Sequence, residues 1–509
     1  MKKQIFRVLC CIMVVAMLVG GTVSLASCKK DKEGENDGPL YVPPSDDETA
    51  DPNSEEELFR PGDVKFDSYE YKILSRTNNT DNKFNLYVYE GDGSPTEVVD
   101  YALFCRQALM EERHGVIMVA MEDLKATSIL SNEILAETPD YCHGAALPVT
   151  DWAVLATNGY LFDLKTLDGL NLEASYWDQR IQKEFDVNGH LFALEGEYSC
   201  WDDLVSFVIL YNDTVYERLG YDTLYGSPYE LAAQNKWTYE MMMTLIKDVS
   251  HELDGDDTLN EDDFWGFLSE TPAPYYFFLG SGQKYIINNE DGIPVFAAHD
   301  ATVWEKNYDV LADLMKMGTN KDILMINRDI GGENWAKASQ MFITNRALFR
   351  STALAVTLDL LNMEDDYGIM PIPHYSEEQT EYYCMCSGEP FVIPVCVTEP
   401  EKAAQVIDMI SYYSLYMGGD SLNYAFYDLL AFARLCRTED DVNMLKLVFA
   451  NKTYDLDYAA GLTKVRNNTS NMVLRNEYTN LYSDLTSLKE SSNTKIQDFV
   501  LRVEAQMKK

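Results

Sequence analysis

Residues 252–263 read Glu-Leu-Asp-Gly-Asp-Asp-Thr-Leu-Asn-Glu-Asp-Asp, a spacing that sets oxygen donors at alternate positions of a twelve-residue loop. Glu252, Asp254, Asp256, Asn260 and Asp263 supply side-chain oxygens, and Thr258 supplies a backbone carbonyl. A hard cation that takes six to eight oxygens, calcium above all, suits such a set. Two positions depart from the usual pattern. Glu252 stands where Asp is customary, and Asp257 occupies the place of the turn-making Gly, a substitution Asp tolerates better than most residues. The expected role is structural: an ion fixing a surface loop with the weak affinity of extracellular modules, not a catalyst. The competing reading is an acidic turn that binds nothing.

Catalytic signatures are missing elsewhere. The chain holds no Gly-x-Ser-x-Gly elbow, no His-Glu-x-x-His and no phosphate-cradling Gly loop, and its 6 His are scattered. Paired carboxylates, the equipment of a glycoside hydrolase, are unavoidable among 83 acidic residues and identify nothing by themselves. A surface glycoside hydrolase is the alternative function, and a surface adhesion module is a third; otherwise the chain is read as no enzyme. Cys105, Cys142, Cys200, Cys384, Cys386, Cys396 and Cys436 show no Cys-x-x-Cys or zinc spacing and are expected as buried small hydrophobes.

The N-terminus decides where this chemistry takes place. Lys2, Lys3 and Arg7 precede an apolar run too short to span a bilayer as a stable helix, ending in Leu25-Ala26-Ser27-Cys28. The ending resembles a lipobox, which implies removal of residues 1–27 and acylation, palmitate included, of the Cys28 thiol. The mature chain is then held on the extracellular face of a bacterial cell membrane by more than one acyl chain. Residues 28–63, rich in Asp, Glu, Pro, Gly and Ser, cannot bury enough apolar surface to fold and read as an acidic disordered tether. The formal net charge of −42 grows more negative once the basic leader is removed. A field of that sign repels phosphate backbones, excludes nucleic acid as a partner, and favours neutral ligands and cations.

Past residue 64 the hydropathy pattern alternates strand and helix. Residues 69–76 read as a strand, 98–114 as a helix and 115–120 as a strand, an order that favours a parallel α/β sheet. Further on, 205–211 reads as a strand, 401–416 as an amphipathic helix and 493–507 as a terminal helix with one apolar stripe.

A series of short motifs in order along the chain carries a resemblance. They are Thr138-Pro-Asp140, Leu155 to Leu164, Asn188 to Glu197 leading into an apolar strand, Lys236-Trp-Thr238, Trp265-Gly-Phe267 after the acidic loop, Tyr367-Gly-Ile-Met-Pro-Ile-Pro373, and Thr453 to Tyr458. Behind a lipobox, this order resembles the family 1 extracellular solute-binding proteins that feed carbohydrates to ABC importers, in their long clostridial lipoprotein form. The resemblance implies an α/β, two-lobe, periplasmic-binding-protein-like (class II) fold with discontinuous lobes and a hinge. One lobe is expected over 64–197 and 347–396, the other over 198–346 and 397–509. The implied partners are a carbohydrate ligand and ABC permease subunits.

The same resemblance singles out ligand-facing positions. Asn78 and Asn79 follow the first strand, and His143 and Gly144 follow Pro139-Asp140. Glu197 stands near the lobe crossing, where the family more often has Asp, with Trp201 close behind to stack on a sugar ring. Tyr275 and Tyr276 are expected as an aromatic platform, and Arg350 and Ser351 where the chain returns to the first lobe.

Overall fold

The computed structural model describes residues 54–76, 87–91, 95–290, 292–331 and 334–506, all inside the compact unit Asp47–Lys509. Cys28, Asn78 and Asn79 lie outside the described residues.

Nine strands build two main sheets: β1 (Tyr69–Ser75), β2 (Val116–Glu122), β3 (Gly144–Ala146), β4 (Phe207–Asn212), β5 (Trp265–Ser269), β6 (Ile323–Met325), β7 (Ala347–Ala353), β8 (Tyr367–Met370) and β9 (Phe391–Val392). The first sheet runs β9-β3-β1-β2; β1 is parallel to β2 and β3, and β9 closes one edge antiparallel. The second runs β8-β4-β7-β5-β6, with β5 parallel to β6 and β7, and β4 antiparallel to both its neighbours. Parallel strands covered on both faces need continuous apolar runs. Trp265–Ser269 and the Ala347-Leu-Phe start of β7 supply them, fully buried.

The opening strand, helix and strand follow the sequence expectation within a few residues. The helix 98–109 continues as a π-turn through His114, and Gly115 stops it in the left-handed region (φ 69°). A Cβ there would sit 2.2 Å from the Phe66 carbonyl oxygen, so the position needs glycine twice over. Thr238 caps the helix Tyr239–Ile246 by accepting the Met241 N–H at 3.1 Å. The strand expected at 205–211 begins at Phe207, because Trp201–Leu204 forms one helical turn capped at Val205. The final helix starts earlier than expected, spanning Leu481–Gln506, because Leu481 and Leu485 extend its buried stripe. Among the described residues no helix is long and apolar enough to cross a membrane.

The lobe boundaries need correction at 347–396. That segment, expected in the first lobe, gives β7 and β8 to the second sheet, and only β9 joins the first. The cause is that β7 is a central strand, pairing Arg350 with Leu210 of β4 on one side and Leu268 of β5 on the other. Conversely, the helix Pro400–Tyr416, expected in the second lobe, covers the first sheet. Tyr71 Oη donates to its Ala403 carbonyl at 3.1 Å, and His114 Nε2 lies 2.7 Å from Tyr413 Oη. Its buried Asp408 accepts the Asn171 N–H (2.9 Å), Tyr176 Oη–H (2.9 Å) and Trp177 Nε1–H (3.0 Å).

Candidate functional site

In open α/β sheets, ligand crevices lie beyond the carboxyl ends of parallel strands. On the first sheet those ends are Ser75, Glu122 and Ala146. Just past β3, the Leu147 and Val149 N–H groups donate to the carbonyls of Pro390 and Gly388, which sets Glu389 on this edge. Glu389 is 7% exposed, and its Oε2 accepts the Tyr87 hydroxyl at 2.7 Å while its carbonyl accepts Tyr198 Oη at 2.7 Å. Burial pushes the Glu389 carboxyl up to about 7, with the Tyr87 bond and Arg76 opposing.

On the second sheet the corresponding edge holds Glu270, the residue immediately after β5. It is 7% exposed, and among the described residues no hydrogen bond or ion pair holds its carboxylate. Burial raises it to about 7 against the pull of Arg350 and Arg466. Within electrostatic reach of it and of Arg466, Tyr276 packs on Phe207, ring centroids 4.1 Å apart. The Arg466 guanidinium lies 4.4 Å over the Tyr458 ring, and Tyr458 Oη is 3.1 Å from Ser387 Oγ. Ser387 is two residues from Glu389. A series of groups therefore runs from the first carboxyl edge to the second: Glu389 and its near neighbour Ser387, then Tyr458 and Arg466 in contact, with Arg466 and Tyr276 within electrostatic reach of Glu270. Phe207, Ser387, Tyr458 and Arg466 all keep partial exposure. The wall offers aromatic faces, hydroxyls, one guanidinium and two carboxyls, groups matched to the apolar faces and hydroxyl rims of a sugar.

Below this wall the chain crosses between the sheets. Segments 195–206 and 384–391 pass side by side, with the short parallel pair Cys384–Met385 and Lys452–Thr453 and a bridge from Ser206 to Cys386. Here the Lys452 ammonium pairs with Asp202 and with Asp203 Oδ1 (2.9 Å) and lies 3.8 Å from Asp178 Oδ2. Tyr454 Oη donates to Asp202 (3.0 Å), and Tyr427 Oη to Asp203 (2.8 Å). These carboxylates outnumber their one cation. Burial and the Asp203 charge push Glu197 up to about 8, and burial lifts Asp203 to about 6.

The expected ligand residues divide among these places. Tyr276 belongs to the wall. Glu197 and Trp201 stand at the crossing, half-buried, with Glu197 Oε2 accepting Asn423 Nδ2 at 3.1 Å. Arg350 lies within electrostatic reach of Glu270 but is fully buried in β7, donating Nη1 to Ser339 Oγ at 2.9 Å. Ser351, its neighbour, is 3.3 Å from Ser269 Oγ inside the sheet. Tyr275 is buried and donates to Asp455 Oδ1 at 2.7 Å, away from the platform expected of it.

His143 and Gly144 sit at the opposite end of β3 from its carboxyl edge. The His143 ring stacks on Tyr71 (5.7 Å), and its Nδ1 accepts the Lys72 N–H at 3.1 Å. Gly144 makes room for Phe391, whose Cζ would lie 1.9 Å from an added Cβ. Glu389, Glu270, Tyr458 and Arg466 escaped the sequence reading. Glu270 carried a usable signal: an acid directly after an apolar strand and before Thr271-Pro272.

Carboxylate oxygens of Glu252, Asp254 and Asp256 lie within 4.8 Å of one another, and Gly255 (φ 85°) and Asp257 (φ 60°) make the turn. Their like charges raise the Asp254 carboxyl, after a leading contribution from burial. Asn260 Nδ2 donates to the Thr258 carbonyl at 3.2 Å. Asp263, expected as the twelfth ligand, is instead fully buried. Its two oxygens accept the Leu253 and Asn260 N–H groups at 2.7 and 2.8 Å, clamping the loop's ends together.

No protein-family model matches the chain, and no curated protein matches it. Solved structures do. An ABC substrate-binding protein from Listeria monocytogenes in complex with cycloalternan is similar over 84% of this chain and 99% of its own, at TM-score 0.53 and 11% identity. A cyclo/maltodextrin-binding protein complexed with maltotetraose is similar over 86% and 97%, at TM-score 0.53 and 11% identity. A sugar transporter from Rhizobium etli in an open conformation is similar over 83% and 98%, at TM-score 0.51 and 11% identity. What these likenesses establish is the architecture: the chain has the two-lobe α/β fold of periplasmic-type binding proteins, with strands of mixed orientation in its sheets.

Proposed function

We propose that the protein is a solute-binding receptor that captures a neutral saccharide between the carboxyl edges of its two sheets and hands it to the permease subunits of an ABC importer. The observation that carries this reading is the series of groups from Glu389 through Ser387, Tyr458 and Arg466 to Glu270. It spans both edges and combines stacking faces with hydroxyl-binding groups. The solved neighbours support it, since those complexed with cycloalternan and maltotetraose share the fold. On this reading Cys28 carries the lipid anchor and the body works at the extracellular face of the membrane. The tether is shorter than the expected 28–63, since Glu55–Leu58 forms a helical turn on the body, with Phe59 edge-on to Tyr176 and the Glu56 carbonyl accepting Tyr412 Oη at 3.0 Å. The lobes divide at the crossing segments, with β1, β2, β3 and β9 in one and β4 to β8 in the other.

The function is binding and not hydrolysis. Ligand favours the closed arrangement in proportion to its extra contacts there. Titration of the soluble body with mono- and oligosaccharides, followed by tryptophan fluorescence and by chromatography of the sugar, tests it. Saturable binding with the sugar intact is expected. Cleaved sugar would assign a hydrolase, and no response to any saccharide would overturn the carbohydrate assignment.

The 252–263 loop is proposed as a weak calcium site formed by Glu252, Asp254, Asp256, the Thr258 carbonyl and Asn260, with Asp263 holding the loop closed. Calcium is expected to raise the melting temperature of the native chain and not that of an Asp254→Ala, Asp256→Ala variant. An equal response from both would remove the site.

A further inference from the structure

Two cysteines far apart in sequence meet where β3 and the helix Pro400–Tyr416 begin. The Asp140 N–H donates to the Cys396 carbonyl at 3.0 Å, and Thr398 returns two bonds to the Asp140 carboxylate, from its N–H at 2.8 Å and its hydroxyl at 2.7 Å. These three bonds hold residues 140–142 against 396–398. Cys142 thus stands two residues from Asp140, which is bonded to the Cys396 carbonyl, and the two thiols lie within electrostatic reach, Cys396 contributing to the raising of Cys142 after burial. Cys142 is fully buried and Cys396 is half-buried, so one thiol of the pair is open to a reagent and the other is shielded.

We propose that Cys142 and Cys396 are a disulfide-forming pair, oxidised by exchange with a low-molecular-weight disulfide such as oxidised glutathione. The exposed Cys396 thiolate attacks one glutathione sulfur; an S–S bond forms to the protein and one glutathione thiolate leaves. The Cys142 thiolate then attacks the Cys396 sulfur and expels the second glutathione. Two protein thiols are oxidised, one small disulfide is reduced to two thiols, and the two protons released by the cysteines go to those products. Both cysteine thiols are held above their ordinary range, Cys396 by burial and Cys142 by burial and its partner, so the exchange accelerates as pH rises. The product ties the entry of a central strand to the entry of the helix that covers it. It closes a loop of some 250 residues and restricts the unfolded chain accordingly. The pair stands at the end of β3 away from Glu389, and the proposal is independent of what the protein binds.

Native full-length protein incubated with oxidised glutathione at pH 8, then alkylated and digested without reductant, tests the assignment by mass spectrometry. The expected product is one cross-linked species joining the peptides that hold Cys142 and Cys396. Its formation should be matched by the loss of two titratable thiols and a higher melting temperature that reductant reverses. A Cys142→Ser variant should instead retain glutathione on Cys396, which shows that Cys396 reacts first and that the buried thiol resolves it. A Cys396→Ser variant should yield no cross-link. Stable glutathione on Cys396 of the native protein, or a cross-link through any other cysteine, would overturn the proposal.

Discussion

At the scale of single residues, Glu270 is the most exacting choice in the molecule. A carboxylate buried to this degree, with no hydrogen bond or ion pair among the described residues, costs free energy that Arg350 and Arg466 offset only in part and that a ligand or a bound proton would offset further. Glu270→Gln keeps the shape and removes the charge. Saccharide affinity, measured by calorimetry, is expected to fall about tenfold, the loss of one charge-assisted hydrogen bond worth about 1.5 kcal/mol. Unchanged affinity would remove Glu270 from the site. The raised carboxyls also set a pH trend. Glu270 and Glu389 at about 7, Glu197 at about 8 and Asp457 at about 7 each bind protons more tightly folded than unfolded. Between the ordinary carboxylate range near 4 and about 8, the native state therefore holds more protons than the unfolded chain. The contribution of these four carboxyls to stability falls as pH rises through that window, against a smaller opposite contribution from His114, His143 and His374, which burial lowers. Urea unfolding is expected to show a higher midpoint at pH 5 than at pH 8; the reverse order would contradict the burial of these groups.

At the scale of elements, the helix Pro400–Tyr416 illustrates how a polar residue fixes packing. Its apolar positions would bury against many surfaces, but Asp408 accepts four hydrogen bonds from residues 171–177, two of them from Asn171, and so sets one orientation. Asp408→Ala leaves those donors without an acceptor and is expected to destabilise the fold by about 3 kcal/mol in denaturant titration. Gly115 fixes the neighbouring turn by a different route. Gly115→Ala meets both a left-handed backbone and the Phe66 carbonyl, and its melting temperature is expected to drop by several degrees. In the same elements the sequence was partly legible. The strand 69–75, the helix from 98 and the Thr238 cap could be read from apolar period and cap chemistry. The shifted start of β4 could not, because Val205 and Ser206 suit a strand locally and are overruled by the helical turn before them.

At the scale of the whole molecule, two sheets meet through crossing segments that carry Lys452 and more carboxylates than it can balance. Truncating Lys452, the one cation paired with these carboxylates among the described residues, leaves Asp202 and Asp203 facing one another. Lys452→Met is expected to cost about 3–5 kcal/mol of stability in denaturant titration, as breaking one side of a buried pair does. Closure around ligand is expected to be measurable as a smaller radius of gyration in solution scattering with saturating saccharide. An unchanged radius alongside proven binding would mean that the site is already formed without it.

The α/β class is a property of apolar period, local enough to read from the chain alone, and the expected leader, tether and exclusion of nucleic acid rest on composition in the same way. The crossing and the wall are not local. Glu389 and Glu270 are separated by more than a hundred residues. They are proposed to face one crevice because β3 and β5 end at their sheets' carboxyl edges and because Ser387, Tyr458 and Arg466 lie in series between them. Likewise His143 and Gly144 have the right types and a plausible neighbourhood in sequence, yet the register of β3 against β1, with Gly144 opposite Ile73, spends them inside the sheet. Residue type and spacing determined what chemistry this protein carries. Strand register and sheet order decided which of those residues reach a ligand, since a shift of one or two positions along a strand moves a side chain from the crevice into the core.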